Sequence, residues 1–429
     1  MIAAAPSSPV PLADGLVLRE ARPADIEQIG ALLAERGEPD DTLDHRLVVT
    51  DPDAGWPACA VVVDGDRVVS TATLLDEELR IAGVRLPAGQ VELVATDREY
   101  EGRGLVRELM RWAHDRSAAR GHVVQAMIGI PYFYRLFGYE YAVDIPPVRA
   151  VRTVPADDGA PALRAALPAD IPAMAELQDL TQSRFDVAMP HSAACWRWLL
   201  AHEASTVWVV ERDGGVVATG RTTPPDDEVL LAEAAALDEA AARELLRGVA
   251  ALTPGGQVRV VERAGTVAAA AWHGSLADGR RTQAEQYYIR IPDVAALLDR
   301  LRPVLWRRLA AAGIDRTGRD VVVSTFPRSA PTTGSRSSPT TSARSPPAVR
   351  CRRQGSWAAP GWHPTTCPRC CSARTGSTGC PGCGPTSTPA LTASCSGRSS
   401  RRSPPTCSAT TCRTSVVIRC SRSPPATPR

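Results

Sequence analysis

The chain has 429 residues with 49 basic and 47 acidic side chains, and its formal charge of +2 describes an ordinary protein with no pull toward nucleic acid. That total hides a segregation: from Pro327 onward there are 15 Arg and no Asp, Glu or Lys, whereas the first 326 residues carry 34 Arg against 47 acids, a net of −13. No apolar run approaches the ~20 residues of a membrane span, Met1 to Val17 lacks the basic and apolar regions of a secretory leader, and only Cys59 and Cys195 precede the tail, which excludes a disulfide framework and fits a cytoplasmic chain.

In chain order, the first pattern is Leu18-Arg-Glu-Ala-Arg-Pro-Ala-Asp-Ile26, a short apolar run followed by Pro-Ala-Asp and a helix with Ile26, Ile29 and Leu33 on one face. An acidic group follows: Glu35, Glu38, Asp40, Asp41 and Asp44. It reads either as a solvated loop or as the lining of a site for a cation. His45, Arg46 and His114 read as surface residues. Cys59–Val63, Asp64-Gly65 and Val68-Val69 give a strand–turn–strand signal. Val91 to Met110 then predicts a strand, a loop with Gly102 and Gly104, and a helix with Leu105, Leu109 and Ala113 on one side. Gly121 serves as its C-cap.

The opening pattern recurs as Leu163-Arg-Ala-Ala-Leu-Pro-Ala-Asp-Ile171, and the hairpin signal recurs as Val207–Val210, Asp213-Gly214 and Val216-Val217. Landmarks offset by 145 and 149 residues predict a duplicated α+β unit over residues 15–150 and 160–290. In the second copy, Leu230 to Leu246 has the strand and the helix but no glycines between them. His191 and Cys195 stand four apart with no third member evident for a triad or metal site.

Gly102 and Gly104 stand where unpaired backbone N–H groups and the positive end of a helix dipole can hold a phosphate. A tight strand-to-helix turn without a ligand would give the same string. No Gly-Lys-Ser/Thr follows, which excludes a P-loop, and the third glycine and ribose acid of a dinucleotide fingerprint are missing.

This segment resembles the acetyl-CoA motif Val-x-Pro-x-Tyr-x-Gly-x-Gly of the GNAT N-acetyltransferases. Here Thr96-Asp-Arg-Glu-Tyr-Glu-Gly102-Arg-Gly104 fills it, with Thr96 for Val, Arg98 for Pro and Glu99 where Arg or Gln is usual. The resemblance implies that Val94, Ala95 and Thr96 hold the pantetheine arm of acetyl-CoA as co-substrate. It assigns the pyrophosphate to Gly102, Arg103, Gly104, Leu105, Val106 and Arg107. Tyr132-Phe-Tyr134-Arg-Leu-Phe-Gly138-Tyr139 is similar to the segment that closes the cofactor site in that family. By the same resemblance, Gly129 and Ile130 line the arm and Tyr134 is the general acid. A phenol suits giving a proton to a thiolate better than taking one at neutral pH. A packed aromatic cluster is the plainer reading of the same residues.

An intact copy followed by one stripped of glycines resembles the Eis-type (enhanced intracellular survival) acetyltransferases, which end in a sterol-carrier-like domain. Arg290 to Leu305 is similar to the opening of that domain, with a strand expected at Asp320–Phe326. The implied fold is α+β, of the three-layer α/β type, with tandem GNAT folds of mixed, mostly antiparallel sheet flanked by helices. The expected divisions are a catalytic GNAT domain at 1–150, a degenerate one at 151–289, a truncated sterol-carrier-like start at 290–326 and a low-complexity tail at 327–429. The implied acceptor is a cationic amine, aminoglycoside-like or lysine-like, on a small molecule or peptide, and a −13 body attracts such a cation. Homo-oligomers are implied too, with the domain that would help assemble them absent. In Eis-type enzymes the general base is the C-terminal carboxylate; here no third domain is recognisable after Phe326, so Arg429 is not assigned that role.

The tail holds 19 Ser, 16 Thr and 16 Pro among its 103 residues, too little apolar surface to offset chain entropy. Its composition is what a GC-rich gene yields out of frame, and family-like text stops at Phe326. Cys367-Pro-Arg-Cys370 and Cys380-Pro-Gly-Cys383 match zinc-knuckle spacing. Cys371 and the lack of apolar packing argue against a metal there. The competing functions are a catalytically impaired acyl-CoA-binding protein and a zinc-dependent nucleic-acid binder acting through the tail.

Overall fold

Strand β1 (Val10–Pro11) pairs antiparallel with β2 (Val17–Glu20), which passes through a single 3-10 turn at Pro23–Asp25 into α1 (Ile26–Arg36). Proline pre-sets the first turn of a helix. Asp25 completes the turn: it accepts the Arg22 backbone N–H at 2.7 Å and pairs with Arg19 at 2.7 Å. Residues 8–38, 40–155, 162–278, 286–314, 321–325, 350–353 and 417–419 are described in this computed structural model.

The first unit continues through α2 (Asp41–Thr50), β3 (Cys59–Asp64), β4 (Arg67–Ile81), β5 (Val84–Thr96), α3 (Leu105–Ala119), β6 (Val124–Met127), β7 (Glu140–Asp144) and β8 (Val148–Ala150). The β4–β5 hairpin turns at Ala82 and Gly83, both left-handed, as a two-residue hairpin loop requires. Then come β9 (Leu163–Ala165), α4 (Ile171–Gln182), β10 (Val187–Ala188), α5 (Ala193–Ala201), β11 (Thr206–Arg212), β12 (Gly215–Thr222) and β13 (Glu228–Ala236). The last elements before residue 315 are α6 (Glu239–Ala251), β14 (Gln257–Val261), α7 (Val267–Trp272), β15 (Gln286–Arg290) and α8 (Val294–Ala311).

The first sheet runs β1-β2-β3-β4-β5-β6-β15-β7, with β10 on the far end of β4; the second runs β8-β14-β13-β12-β11-β9. In each sheet one pair is parallel, β5/β6 and β13/β14, and the others are antiparallel. A parallel pair needs a crossover, and α3 and α6 supply it. The likeness of the two sheets is therefore one of topology. It is visible in detail as well, since Arg164 pairs with Asp170 at 2.7 Å and Asp170 accepts the Leu167 N–H at 2.7 Å.

The two sheets exchange strands. β15, at the end of residues 160–290, enters the first sheet between β6 and β7. β8, at the end of residues 15–150, pairs antiparallel with β14 in the second sheet. The first sheet is therefore not made from one continuous stretch of chain.

Helices cover both faces of the first sheet. On one, Leu105, Leu109, Met110 and Ala113 of α3 pack on Leu74, Val91 and Met127. On the other, Ile29, Leu33 and Val49 of α1 and α2 pack on Cys59, Val61 and Val63. β3 is therefore an almost continuous buried apolar run.

The chain divides into two compact units, Met1–Thr317 and Gly318–Arg429. In the second, β16 (Val322–Thr325) lies between β17 (Arg350–Arg353) and β18 (Val417–Arg419). Two of these strands, β17 and β18, fall in the segment whose composition predicts no regular structure. Cys367, Cys370, Cys380 and Cys383 lie outside the described residues.

Candidate active site

β5 and β6 pair only from Ala88–Gln90 to Val124–Ala126, while β5 runs on to Thr96. Beyond Gln90 the edge of β5 that faced β6 has no strand partner among the described residues, so the sheet splays open there. A bulge begins the splay: the β4–β5 register shifts between Thr71 and Thr73, and Leu93 takes a positive φ of 53°. The Asp97 N–H donates to the Val69 carbonyl at 2.9 Å. Antiparallel residues alternate in the direction of their polar groups, so Thr96 turns its amide and carbonyl to the open edge. Arg36 Nε occupies that carbonyl at 3.0 Å, leaving the amide. Ala95 faces β4, where its carbonyl accepts Ser70 Oγ at 2.9 Å, and Val94 packs on the core.

The loop after β5 is held from both sides. Asp97 caps it by accepting the Glu99 N–H at 2.9 Å, and Arg67 pairs with Asp97 at 2.7 Å. The buried Tyr100 ring anchors it, and the Tyr100 hydroxyl donates to Asp64 Oδ2 at 2.6 Å. The Arg103 guanidinium lies over that ring, 4.5 Å from its centroid. Arg98 pairs with Glu35 at 3.3 Å and Glu99 with Arg67 at 3.3 Å.

Gly102 and Gly104 have φ of 75° and 81°, a conformation other residues adopt only with strain. Among the described residues, the backbone N–H groups of 102–106 make no hydrogen bond. These amides sit at the N-terminus of the 15-residue α3, where an anion is favoured. Leu105 is buried and Val106 half-buried, fixing the helix end to the core, whereas Arg107 is exposed with no ion pair among the described residues. This loop, with an exposed cation beside free amides, fits the pyrophosphate and phosphates of a CoA molecule.

Tyr134 stands out from its aromatic neighbours. Tyr132 is 61 % exposed, and the Tyr139 hydroxyl donates to Gln125 Oε1 at 3.1 Å. Tyr134 is buried against Phe133, Phe137 and Tyr288, with ring centroids 5.1, 6.3 and 5.8 Å away. Its hydroxyl makes no hydrogen bond among the described residues, yet it is not sealed from solvent as an orphaned core atom would be. Burial, aided by the nearby Glu92 charge, pushes its pKa up to about 12, so it stays protonated. Gly129 makes this position available, since a Cβ there would come within 2.4 Å of Tyr134 Cε2. The Ile130 side chain is 63 % exposed, and its carbonyl accepts the Tyr288 hydroxyl at 3.1 Å. Tyr288 comes from the exchanged β15, so the packing around Tyr134 is completed by residues far along the chain.

A cavity of ≈1120 Å³ is lined from both sheets. From the first sheet, Glu77 and Glu92 line it; from the second, Arg221 and Glu233 do. Burial pushes Glu92 up to about 7, with Asp44, Asp41 and Glu77 adding to the rise and a 2.5 Å bond from Gln90 Nε2 opposing it. Burial raises Glu77 to about 7 as well, against the nearby His191. A carboxyl poised near neutrality can take a proton at working pH. Tyr134 is not on the cavity wall. Glu92 connects the two regions, since it lines the cavity and its charge acts on the Tyr134 phenol.

The predicted acidic group divides. Asp41 and Asp44 line the cavity, and Asp44 bonds His202 at 2.7 Å; Glu35, Glu38 and Asp40 are not on its wall. The expectation of a surface His45 is wrong: it is 1 % exposed, packed edge-on against Trp56, and burial lowers it to about 4. His114 is half-buried and likewise lowered to about 4 by burial, with Arg290 adding to the fall. Sequence reasoning passed over Glu77 and Glu92. A charged residue inside an otherwise apolar strand, as in Val91-Glu-Leu-Val94, was the available signal. Among the described residues no group of His, Cys, Asp and Glu could hold a metal ion, and no helix is long and apolar enough to cross a membrane.

Residues 18–142 match the family model of the acetyltransferase (GNAT) domain. Solved structures share the fold at low identity. A GCN5-related N-acetyltransferase from Kribbella flavida is 22% identical with a TM-score of 0.51, over 66% of this chain and 73% of that one. One from Anabaena variabilis ATCC 29413 is 16% identical with a TM-score of 0.52, over 66% and 74%. A probable N-acyltransferase from Enterococcus faecalis V583 is 12% identical with a TM-score of 0.51, over 66% and 75%. No curated protein matches the chain. Residues 18–142 are thus similar to the acetyltransferase (GNAT) domain, and the chain shares its fold with solved N-acetyltransferases.

Proposed function

We propose that this N-acetyltransferase moves an acetyl group from acetyl-CoA to a cationic amine by direct attack, with Tyr134 as general acid and Glu92 as general base. The observation that carries the reading is the row of unbonded amides at 102–106 beside the splay of β5 from β6. Acetyl-CoA supplies the activated acetyl thioester. Residues 102–106 and Arg107 would bind its phosphates, and the Thr96 amide its pantetheine arm.

An amine attacks only when neutral, and Glu92, near 7, is suited to take the ammonium proton. Tyr134 holds its proton at Oη for the departing sulfur, and its free hydroxyl leaves that proton uncommitted. The acids around the cavity, Asp41, Asp44, Glu77 and Glu92, favour a polycationic acceptor, whether a small molecule or a lysine-bearing peptide. Positioning two substrates in one cleft supplies much of the acceleration. The matching sheets, with the Gly102–Gly104 loop in one only, support tandem GNAT units of which the first is active, as in the Eis type. Release of free thiol from acetyl-CoA, screened against aminoglycosides, polyamines and lysine peptides, tests the reading; no release with any amine would overturn it.

A further inference from the structure

The cavity has a second wall, opposite in sign to the acids of the first sheet, and the acetyl-transfer reading leaves it unused. Arg221 of β12 stands opposite Glu233 of β13 in the strand register. Arg263 follows β14 and reaches back to β13, where its Nη1 donates to the Ala232 carbonyl at 2.9 Å. All three line the cavity. Glu233 is already shared: Oε2 lies 3.0 Å from His191 Nε2, and Oε1 lies 3.6 Å from Arg221, too long for a hydrogen bond. Glu262, the other carboxylate on this wall, is committed to Arg149 at 2.5 Å. Among the described residues, the Arg221 guanidinium makes no hydrogen bond and Arg263 has no ion pair.

Tyr287, on the exchanged strand β15, adds a hydroxyl. It lines the same cavity, is half-buried, and its hydroxyl makes no hydrogen bond among the described residues. Its electrostatic neighbours belong to both walls. Burial raises its pKa, the charges of Glu92 and Glu233 add to the rise, and those of Arg263 and Arg221 oppose it. From this arrangement we infer that Arg221, Arg263 and the Tyr287 hydroxyl form a carboxylate-binding subsite, and that the amine acceptor carries a carboxylate that docks there while its amine meets Glu92. The charges agree. Burial would raise Glu233, but His191, with Arg221 and Arg263 nearby, holds it down at about 2, so it is an anion at neutral pH. One shared carboxylate offsets one of the two guanidiniums and leaves the other without a counterion. A guanidinium with unpaired N–H groups presents a fork of donors that matches a planar carboxylate.

This inference rests on the amine-acetylation reading and selects within it. Aminoglycosides and polyamines carry no carboxylate, whereas a lysine peptide with an acidic residue near the lysine does. Such a peptide meets acids with its ammonium on one wall and arginines with its carboxylate on the other. The sheet that lacks the glycine loop thereby gains a part in the reaction, as the half of the cavity that recognises the acceptor.

Thiol release from acetyl-CoA by the full chain tests it, with end-blocked peptides that hold one Lys and one Glu at increasing separation, each paired with its Gln counterpart. At the separation that spans the cavity, kcat/KM should be about tenfold higher for the Glu member, the effect of one charge-assisted contact. Arg263→Glu should invert that preference. A wild type that turns over both members equally at every separation overturns the subsite and leaves amine acetylation standing, and that comparison needs no variant to fold. Calorimetric titration of the full chain with the same pairs reads the subsite even where no thiol is released. Tighter binding of the Glu member then supports it, and equal affinity overturns it, whatever becomes of the acetyl-transfer reading. A folded Arg263→Glu that still prefers the Glu member overturns the role of Arg263.

Discussion

The two sheets are built alike and differ at one joint. Each begins with the same Arg–Asp pair and Pro-Ala-Asp turn, and each carries one parallel pair bridged by a helix. In the first, eight residues separate β5 from α3, and glycines hold the backbone so that the helix amides stay open. In the second, only Leu237 and Asp238 separate β13 from α6. Asp238 there accepts the Ala241 N–H at 2.7 Å and is braced by Arg212 at 2.9 Å. A side-chain carboxylate occupies the place where an external anion could bind. The loss of glycines thus goes with a positive replacement, a helix that caps itself.

Substitutions at the joint should separate the two behaviours. The largest effect is expected from Gly104→Val, which puts a β-branched residue at φ 81° at the open helix end. It should lower kcat/KM by on the order of a hundredfold or more through lost acetyl-CoA binding, measured by thiol release. Next comes Tyr134→Phe, which keeps the packing and removes only the hydroxyl. It should cut kcat by roughly 10²-fold with acetyl-CoA affinity unchanged; unchanged kcat would remove the assigned acid.

Glu92→Gln should follow, with a loss on the order of tenfold above neutrality. In the wild type Glu92 is protonated below about 7, so kcat/KM should climb through that pH and level off above it; the variant should lose this limb. The same group sets a stability trend. Its folded pKa is raised above the unfolded value, so its contribution is fully present below the unfolded value near 4.5 and lost as pH rises through about 7. Glu92→Gln should accordingly melt higher than wild type at pH 8 and not at pH 4. The smallest effect is expected from Asp238→Ala: about 1 kcal/mol of stability lost with the cap, by chemical denaturation, with acetyl-CoA turnover retained.

Much of this was legible in the sequence because it is local. Pro-Ala-Asp repeats because a strand-to-helix turn needs a proline and an acid at those positions. Gly102 and Gly104 announce a backbone that few other residues tolerate. Tyr134 was reached by its spacing from Gly138, although its distinction from Tyr132 and Tyr139 lies in a free hydroxyl that only packing reveals. The strand exchange was not legible: Gln286–Arg290 reads as a strand, but nothing local says that it pairs with Val124–Met127. The cavity carboxylates were hidden for a similar reason. Glu92 becomes chemically distinctive through burial and through Asp44, Asp41 and Glu77, neighbours brought to it by folding. Glu233 reaches His191 from another element, 42 residues downstream of it.

Titration calorimetry of the full chain with acetyl-CoA, run on wild type, Gly104→Val and Asp238→Ala, tests the central claim most directly. The account predicts a single site that disappears in Gly104→Val and persists in Asp238→Ala. Binding that survives Gly104→Val, or that is lost in Asp238→Ala while the protein remains folded, would contradict it.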